Sequence, residues 1–238
     1  MKISVCIPMY NESKIIADTA KTLHEYMERT FGDDFEILFS DDGSRDGSAD
    51  TVRALGLSGV RVVGYEQNRG KGCAVRTALL ESRGDIAIFT DADLAYGTEV
   101  IARAVEMFEN NPDADLVIGS RNISADGYEG YTLLRKIASK LYIKVLCIAG
   151  GFKLSDSQCG CKAFRREAVD KIFPRCTVDG FAFDFEAILW SQKFGMKISE
   201  LPVKIINHRE SKVRVLRDSV RMLRDLRKMK KRIKTASS

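Results

Sequence analysis

Two aspartates, Asp91 and Asp93, stand two residues apart directly after the apolar run of residues 86–90. A short apolar run of this kind predicts a buried strand, so both carboxylates fall at a strand end and can face one cation. Mg²⁺ and Mn²⁺ prefer oxygen ligands and commonly bridge to phosphates. A cation held there would neutralise the charge that builds on a departing diphosphate. The alternative is a solvated turn, since Asp-x-Asp also arises by chance.

Further polar clusters follow the other predicted strands. The predicted strands cover residues 3–9, 35–39, 60–65, 86–90 and 116–119, and helical spacing covers residues 13–29, 49–57, 74–82 and 99–110. Strands that alternate with helices of this length predict βαβ units and a mainly parallel sheet with helices on both faces. Ligands bind beyond the carboxyl ends of the strands in such sheets. The polar clusters are therefore expected to share one site.

The clusters after the second and third strands suit a nucleotide. Asp41 and Asp42 precede Gly43, which permits a tight turn, and an aspartate there can accept hydrogen bonds from a base N–H or a ribose hydroxyl. Residues 68–72, Asn-Arg-Gly-Lys-Gly, precede a helix, where backbone amides, the helix dipole and Lys71 would attract phosphate. The spacing matches neither a P-loop nor a dinucleotide fingerprint. Each pattern alone is also compatible with an ordinary surface turn.

The second half of the chain continues without a recognisable linker or repeat. Helices are predicted at residues 132–148, 163–173 and 184–194, a strand at 198–206 and a long helix at 213–234. We expect one domain, residues 1–212, followed by a basic helix and tail, residues 213–238. Between residues 209 and 234, twelve Lys and Arg stand against three Asp and Glu, which predicts an anionic partner. Aromatic residues do not interleave with these cations, so lipid headgroups are favoured over nucleic acid.

Composition excludes several classes of protein. The 238 residues, 45% of them hydrophobic, suit one large globular domain. No secretory signal is recognisable, and the longest apolar stretch, residues 141–151, is interrupted by Lys144 and is too short for a spanning helix. The six cysteines lack zinc-site spacing and are expected to be reduced thiols. The two histidines, His24 and His208, have no Ser or Cys partner in a nucleophile motif. We therefore expect a cytosolic protein.

Taken in order, these clusters resemble the family 2 glycosyltransferases of the GT-A fold. The matching motifs are Ile-Pro-Met-Tyr-Asn-Glu at 7–12, Asp-Asp-Gly-Ser at 41–44, Asn-Arg-Gly-Lys-Gly at 68–72 and Asp-Ala-Asp at 91–93. Motifs at 119–121, 156–160, 180–184 and 211–213 look like the dolichyl-phosphate glucosyltransferase and mannosyltransferase group, closest to the glucosyl type. The resemblance implies an α/β, Rossmann-like GT-A fold with a C-terminal basic helix. It also implies transfer of a hexose from a UDP-type nucleotide-sugar to a polyprenyl phosphate such as undecaprenyl or dolichyl phosphate.

The resemblance assigns the base and ribose contacts to residues of the first three clusters. Pro8, Tyr10 and Asp42 would hold the uracil-type base. Glu12 and Lys71 would lie near the ribose and the phosphates.

It assigns the metal to the fourth cluster. Asp91 would contact the ribose or the metal region, and Asp93 would coordinate Mg²⁺ or Mn²⁺ together with the diphosphate. Arg209 and Lys212 lie on the C-terminal segment that closes over the donor in such enzymes.

The acceptor contacts fall in the second half. Arg121 resembles the family arginine that approaches the phosphates of donor and acceptor, and Arg135 and Ser139 sit where related enzymes contact the acceptor phosphate. Gln158 and Asp184 fall in motifs near the sugar and the acceptor. The residues expected at the reacting atoms are Asp91, Asp93, Arg121 and Asp184. Since a phosphate monoester is already anionic near neutral pH, it can attack without a strong general base, and one displacement with inversion is expected.

Departures from the family pattern leave alternatives open. The mannosyl group often continues Asp-Ala-Asp-Leu-Gln, and Ala95 in place of that Gln favours the glucosyl branch. No membrane anchor is recognised, so a bacterial or archaeal polyprenyl phosphate is the expected acceptor. One alternative is a GT-A transferase acting on a soluble or glycan hydroxyl, which would need a carboxylate base such as Asp184. Another is a nucleotide-binding oxidoreductase or regulator, against which the missing Gly-x-Gly-x-x-Gly argues.

The basic helix is expected to dock on an anionic membrane from the cytoplasmic side. Its cations fall within one arc, comprising Arg217, Arg221, Arg224, Lys228, Lys231 and Arg232. A separate apolar stripe, comprising Val213, Leu216, Val220 and Leu223, can pack on the body. Each cation near an anionic bilayer contributes about 1 kcal/mol. Truncation after Leu226 is expected to remove the membrane contact and spare the packing stripe.

Overall fold

One mixed sheet organises the part of the chain that the structure describes. The computed structural model describes residues 1–124, 126–128, 131–207 and 215–236, and within these ranges the side chains of residues 134, 135 and 215–223 are not described. The strands of the sheet are β1 Ile3–Met9, β2 Phe35–Asp42, β3 Val60–Tyr65, β4 Ile86–Thr90, β5 Leu116–Ser120, β6 Cys161–Arg165 and β7 Ile198–Pro202. Their order in the sheet is β3-β2-β1-β4-β6-β5-β7.

Helices connect most of these strands. They are α1 Ile16–Phe31, α2 Ser48–Ala54, α3 Lys71–Glu81, α4 Glu99–Asn110, α5 Leu133–Gly150, α6 Arg166–Ile172, α7 Phe183–Lys193 and α8 Val215–Thr235. A short 3₁₀ turn at Phe173–Arg175 follows α6. The α/β architecture and the mainly parallel sheet predicted from the sequence are confirmed, and most predicted elements shift by only a few residues at their ends.

The pairing pattern brings the strand ends of the first half to one edge. β1 pairs in parallel with β2 and β4, β2 pairs in parallel with β3, and β5 pairs in parallel with β7. β6 is antiparallel to both β4 and β5, so Thr90 at the end of β4 pairs with Cys161 at the start of β6. The carboxyl ends of β1 to β5 and the loop before β6 therefore meet at the same edge.

Two apolar layers cover the sheet because its central strands alternate apolar side chains between the faces. Ile3, Val5 and Ile7 of β1 pack in the layer with α1 and α4, whereas Cys6 packs in the layer with α3, α6 and α7. The predicted helical spacing of α1 is confirmed, since its residues at positions 16, 20, 23 and 27 are all buried. Both faces are covered, as parallel sheets require.

The predicted helix at 163–173 is wrong in its first part. Residues Cys161–Arg165 form β6, which inserts between β4 and β5, and the helix begins only at Arg166. A short apolar run does not distinguish a buried strand from a buried helix by periodicity alone. The predicted strand at 198–206 likewise ends early, at Pro202. α3 begins at Lys71 rather than at residue 74, which makes Lys71 the first residue of that helix.

The end of α8 is part of the body of the protein. Leu226, Met229 and Ile233 are buried in the layer that α5 and α7 also form. The Lys193 ammonium of α7 donates a hydrogen bond to the Ile233 carbonyl at 2.7 Å and another to the Ala236 carbonyl. Truncation after Leu226 would therefore also remove the buried side chains of Met229 and Ile233, which the predicted stripe did not include. The earlier stripe residues 213, 216, 220 and 223 lie outside the described side chains.

The predicted basic arc of α8 divides into two kinds of residue. Arg224, Lys228 and Lys231 are exposed. Arg232 instead forms an ion pair with the buried carboxylate of Glu186. The side chains at positions 217 and 221 lie outside the description. Arg232 is also exposed, and the width of the arc stays a prediction.

Two further features concern the cysteine thiols and the apolar character of the helices. All six cysteines are free and buried. Within the described ranges, none of the helices combines the length and the apolar character that crossing a bilayer requires.

The packing of α8 predicts a large loss of stability on truncating a single side chain. Ile233→Ala should lower the free energy of unfolding in urea by about 2–5 kcal/mol, because it opens a cavity in a filled layer. Lys234→Ala, on the exposed side of the same turn, should change it by less than about 0.5 kcal/mol. Equal unfolding free energies for the two variants would contradict the packing of this helix on the body.

Candidate functional site

A lysine–aspartate pair lies at the centre of the strand-end edge. The Lys71 ammonium, on the first residue of α3, lies 2.5 Å from Asp91 Oδ1, directly beyond β4. The ammonium also lies 5.3 Å from the centroid of the Phe89 ring. Burial alone would lower the pKa of Lys71, but the Asp91 carboxylate outweighs burial and the pKa is raised above its ordinary value. Lys71 is therefore a fixed cation at this edge.

Asp91 and Asp93 provide two carboxylates at the tip of β4. Asp93 Oδ1 accepts the Ala95 amide at 3.1 Å, which fixes the turn after the strand. Gly160 leaves room for Asp91, because a Cβ on Gly160 would overlap Asp91 Oδ2. Among the described residues, no group of three or more His, Cys, Asp or Glu is arranged to hold a metal ion. Asp91 and Asp93 supply carboxylate oxygens of the kind that Mg²⁺ and Mn²⁺ prefer, and their role as metal ligands stays a prediction.

Behind this pair lies a second, buried ion pair. The Lys162 ammonium, in the middle of β6, lies 2.6 Å from Asp184 Oδ1 and donates a hydrogen bond to the Cys159 carbonyl at 2.6 Å. Lys162 is 1% exposed and Asp184 is 7% exposed. Burial raises the pKa of Asp184, against the opposing effect of the Lys162 charge. The sequence analysis missed Lys162, whose only signal is a lysine within the apolar run of residues 161–164.

A third pair holds Arg121 after β5. Its guanidinium binds the fully buried carboxylate of Asp156 at two points, Nε to Oδ2 at 2.7 Å and Nη2 to Oδ1 at 3.1 Å. The backbone amide of Gln158 donates a hydrogen bond to the same carboxylate at 3.1 Å. The Arg121 guanidinium also lies 5.7 Å from the Tyr128 ring centroid. Arg121 is therefore held in a fixed direction by Asp156, which the sequence analysis did not assign.

The loop that carries Asp156 is itself anchored to β7. Glu200 Oε1 accepts hydrogen bonds from the Ser155 amide at 2.8 Å, the Ser155 hydroxyl at 2.6 Å and the Asp156 amide at 3.3 Å. Three donors on one carboxylate oxygen fix the loop backbone beneath Arg121. The position of Arg121 thus depends on a residue nearly eighty positions further along the chain.

The carboxylate of Asp42 is occupied by donors from the protein. It accepts hydrogen bonds from the Tyr65 hydroxyl at 2.8 Å, the Asn68 side-chain amide at 2.8 Å, and the backbone amides of Arg69 and Gly70 at 2.8 and 2.9 Å. Few acceptor positions of this carboxylate remain for a ligand, and the predicted contact of Asp42 with a base stays a prediction. The neighbouring Asp41 is half-buried and accepts the Ser44 amide at 3.1 Å.

The loop of residues 68–72 is also used internally. The amides of Arg69 and Gly70 are directed at Asp42, and the Cys73 amide at the start of α3 donates to the carbonyl of Asp179 at 3.2 Å. Arg69 pairs with the Asp179 carboxylate at 3.0 Å. The predicted cradle of backbone amides for phosphate is therefore wrong for these amides, and of the predicted cations only Lys71 is directed toward the strand-end acids.

The predicted residues after β1 lie in a loop that is fastened to the turn after β2. Pro8 is half-buried in β1, and Tyr10 is 40% exposed at its end. The Glu12 amide donates to the Ser48 hydroxyl at 2.8 Å. The loop thus presents Tyr10 and the half-buried Glu12 beside the ends of β1 and β2.

The remaining predicted residues are only partly described. Ser139 is half-buried on α5, and Gln158 is half-buried beside Asp156. The side chain of Arg135 and both Arg209 and Lys212 lie outside the described residues. The structure brings Lys71, Asp91, Asp93, Arg121, Gln158 and Asp184 to one edge of the sheet.

The chain was compared with known protein families and with known proteins. Residues 4–173 match the family described as Glycosyl transferase family 2. The chain is 32% identical to a dolichyl-phosphate β-glucosyltransferase of Dictyostelium discoideum and 30% identical to that of Saccharomyces cerevisiae, with 94% of this chain and 72% of the relative covered in each case.

Solved structures agree on the fold. Glucosyl-3-phosphoglycerate synthase from Mycobacterium tuberculosis, in complex with Mn²⁺, UDP and phosphoglyceric acid, superimposes with a TM-score of 0.73 at 20% identity, covering 100% of this chain and 80% of that one. An identity this low supports the GT-A fold alone. The strand-end acids, the order of the motifs and the family match together make the conclusion plain: this chain belongs to glycosyl transferase family 2 and is a glycosyltransferase.

Proposed function

We propose that this enzyme transfers a glucosyl-type hexose from a UDP-sugar to a polyprenyl phosphate at a membrane surface, with inversion at the anomeric carbon. The observation that carries the proposal is the similarity to dolichyl-phosphate β-glucosyltransferases over 94% of the chain. The geometry of the strand-end edge supports it, because anion-binding groups and carboxylates lie side by side there.

The donor diphosphate would bind at the tip of β4. Asp91 and Asp93 would share a Mg²⁺ or Mn²⁺ ion with it, and Lys71 at 2.5 Å from Asp91 would supply a further positive charge. The metal would act as a Lewis acid that stabilises negative charge on the departing diphosphate. Pro8, Tyr10 and Asp42 would contact the base, as the family resemblance implies. A UDP-bound neighbour of the same fold contains Mn²⁺, which supports a divalent ion at this place.

The acceptor would approach from the side of Arg121. Asp156 directs the Arg121 guanidinium, and Ser139 and Arg135 lie on the neighbouring helix α5. An anionic phosphate oxygen needs orientation more than deprotonation, so basic residues suffice. The alternative of a hydroxyl acceptor would require Asp184 as base, but its carboxylate is held by Lys162 at 2.6 Å. The pairing of Asp184 therefore favours the phosphate acceptor.

Helix α5 supplies a surface suited to a membrane. It exposes an apolar ridge made of Leu133, Ile137, Leu141, Val145 and Ile148, which are 43–74% exposed. The spacing of three or four residues places them along one side of the helix. Lys140 and Lys144 are exposed on the same helix, and α8, with exposed Arg224 and Lys228, packs beside it. An apolar ridge flanked by cations is typical of a helix that lies in an anionic bilayer interface.

The first prediction concerns the metal. UDP should bind markedly more tightly in the presence of Mn²⁺ or Mg²⁺, and Asp93→Ala should abolish the metal effect, because the variant removes a carboxylate ligand. Isothermal titration calorimetry with and without the metal measures this directly. An Asp113→Ala variant, which removes an exposed carboxylate remote from the strand-end edge, serves as the control. Metal-independent UDP affinity in the wild type would count decisively against the donor site.

The second prediction concerns the product. Incubation with a panel of UDP- and GDP-hexoses and undecaprenyl phosphate should yield a hexosyl phosphoprenol, detected by mass spectrometry of the lipid fraction, with UDP-glucose as the preferred donor. Asp93→Ala should give none. Transfer to water-soluble acceptors without any lipid product would favour the hydroxyl-acceptor alternative instead.

The third prediction concerns the membrane surface. Exchanging Ile137 and Leu141 for Gln should weaken sedimentation with anionic vesicles by at least about tenfold, because two apolar side chains no longer leave water. Leu80→Gln, on α3 and 45% exposed, should bind like the wild type. Activity on a short-chain, water-soluble polyprenyl phosphate should persist in both. Unchanged vesicle binding in the α5 variant would show that this ridge does not contact the membrane.

A further inference from the structure

A fully buried carboxylate joins the C-terminal helix to the loop before α7. Glu186 of α7 is 0% exposed. It accepts hydrogen bonds from the Thr177 amide at 2.9 Å and the Val178 amide at 2.7 Å. The Arg232 guanidinium of α8 completes the set, since it donates to Glu186 and also to the Thr177 hydroxyl. A buried carboxylate needs a countercharge, and Arg232 is the cation paired with it.

The loop held by Glu186 reaches the start of α3. The Asp179 carboxylate pairs with Arg69 at 3.0 Å and with Arg76 at 2.5 Å. The Asp179 carbonyl accepts the Cys73 amide at 3.2 Å. The segment of residues 177–180 is thus bound on one side to α8 and on the other to the segment that carries Lys71.

The backbone of residues 177–180 packs closely against the backbone of residues 70–72. A Cβ on Gly70 would meet the Asp179 carbonyl at 2.5 Å, and one on Gly72 would meet the Val178 carbonyl at 2.6 Å. Because the backbones touch, a displacement of residues 177–180 must displace the start of α3 with it. Residues 177–180 also shortly precede α7, whose second residue is Asp184.

We propose that Arg232 is a positioning residue for the donor site. When α8 packs on the body, the Arg232 guanidinium binds Glu186 and Thr177. These contacts fix residues 177–180 and, through Asp179, the segment that carries Lys71. The C-terminal helix therefore holds the residues of the donor site in place, and this role is separate from any contact of the helix with a membrane. This inference goes beyond the proposed function, since it concerns nucleotide binding and requires neither the lipid acceptor nor the identity of the sugar.

The test compares Arg232→Met with Lys234→Met, an exposed lysine two residues away on the same helix. Arg232→Met should weaken UDP binding, measured by calorimetry in the presence of Mn²⁺, by about tenfold, a size common for substitutions that act through coupled contacts. In hydrogen exchange, the amides of Thr177, Val178 and Cys73 should exchange faster. Lys234→Met should match the wild type in both measurements. Arg232→Lys keeps a cation and should restore part of the affinity.

A merely structural role for Arg232 gives a different pattern. In that case Arg232→Met lowers the unfolding midpoint but leaves UDP affinity and the exchange of the Cys73 amide at wild-type values, and the proposal is overturned. The exchange measurement requires no ligand. If the wild type failed to bind UDP, the proposed function would fall, while exchange at Cys73 would still decide whether Arg232 controls this segment.

Discussion

A charged side chain that is removed from water must meet an opposite charge or lose several kcal/mol of stability, and this requirement organises the candidate site. Three ion pairs at the strand-end edge each join different segments of the chain. The three pairs are Lys71 with Asp91, Lys162 with Asp184, and Arg121 with Asp156. They connect α3 to β4, β6 to α7, and β5 to the loop before β6. The edge is therefore assembled by its own ion pairs before any ligand binds.

Preassembly of this kind suits transfer of a sugar from a nucleotide diphosphate. The charge that develops during the reaction lies on phosphate oxygens, and fixed cations and a metal stabilise it without reorganising in the transition state. Lys162 keeps the Asp184 carboxylate engaged, which in the proposed function would favour an acceptor that is already anionic. Helix α5, with its exposed apolar ridge, is the next helix along the chain after β5 and Arg121. In the proposed function, this order of elements would bring a soluble donor next to a membrane-borne acceptor.

Much of the fold could be predicted from the sequence because its central strands are buried on both faces and read as continuous apolar runs. The ends of those strands were located well enough to find Asp91, Asp93 and Lys71. The strand β6 could not be found, because its apolar run contains Lys162, and a lysine reads as a solvent-facing residue until its partner is known.

The partners themselves are the part that sequence cannot supply. Asp156 lies 35 residues from Arg121, and Asp184 lies 22 residues from Lys162. The motifs that contain Asp156 and Asp184 do not indicate that these carboxylates pair with Arg121 and Lys162. The same reason applies to Asp42, because its turn does not reveal that four groups of the protein donate hydrogen bonds to its carboxylate. Only the folded chain shows which polar groups are already satisfied.

The central claim is that pairing of opposite charges from separate segments holds the edge together. A double-mutant cycle on Lys162→Met and Asp184→Asn, with the free energy of unfolding in urea as the readout, tests it most directly. Each single variant leaves a buried group without its partner and should cost about 3 kcal/mol or more. The double variant should cost clearly less than the sum of the two, by about 1 kcal/mol or more. Additive losses, within about 0.5 kcal/mol, would contradict the account.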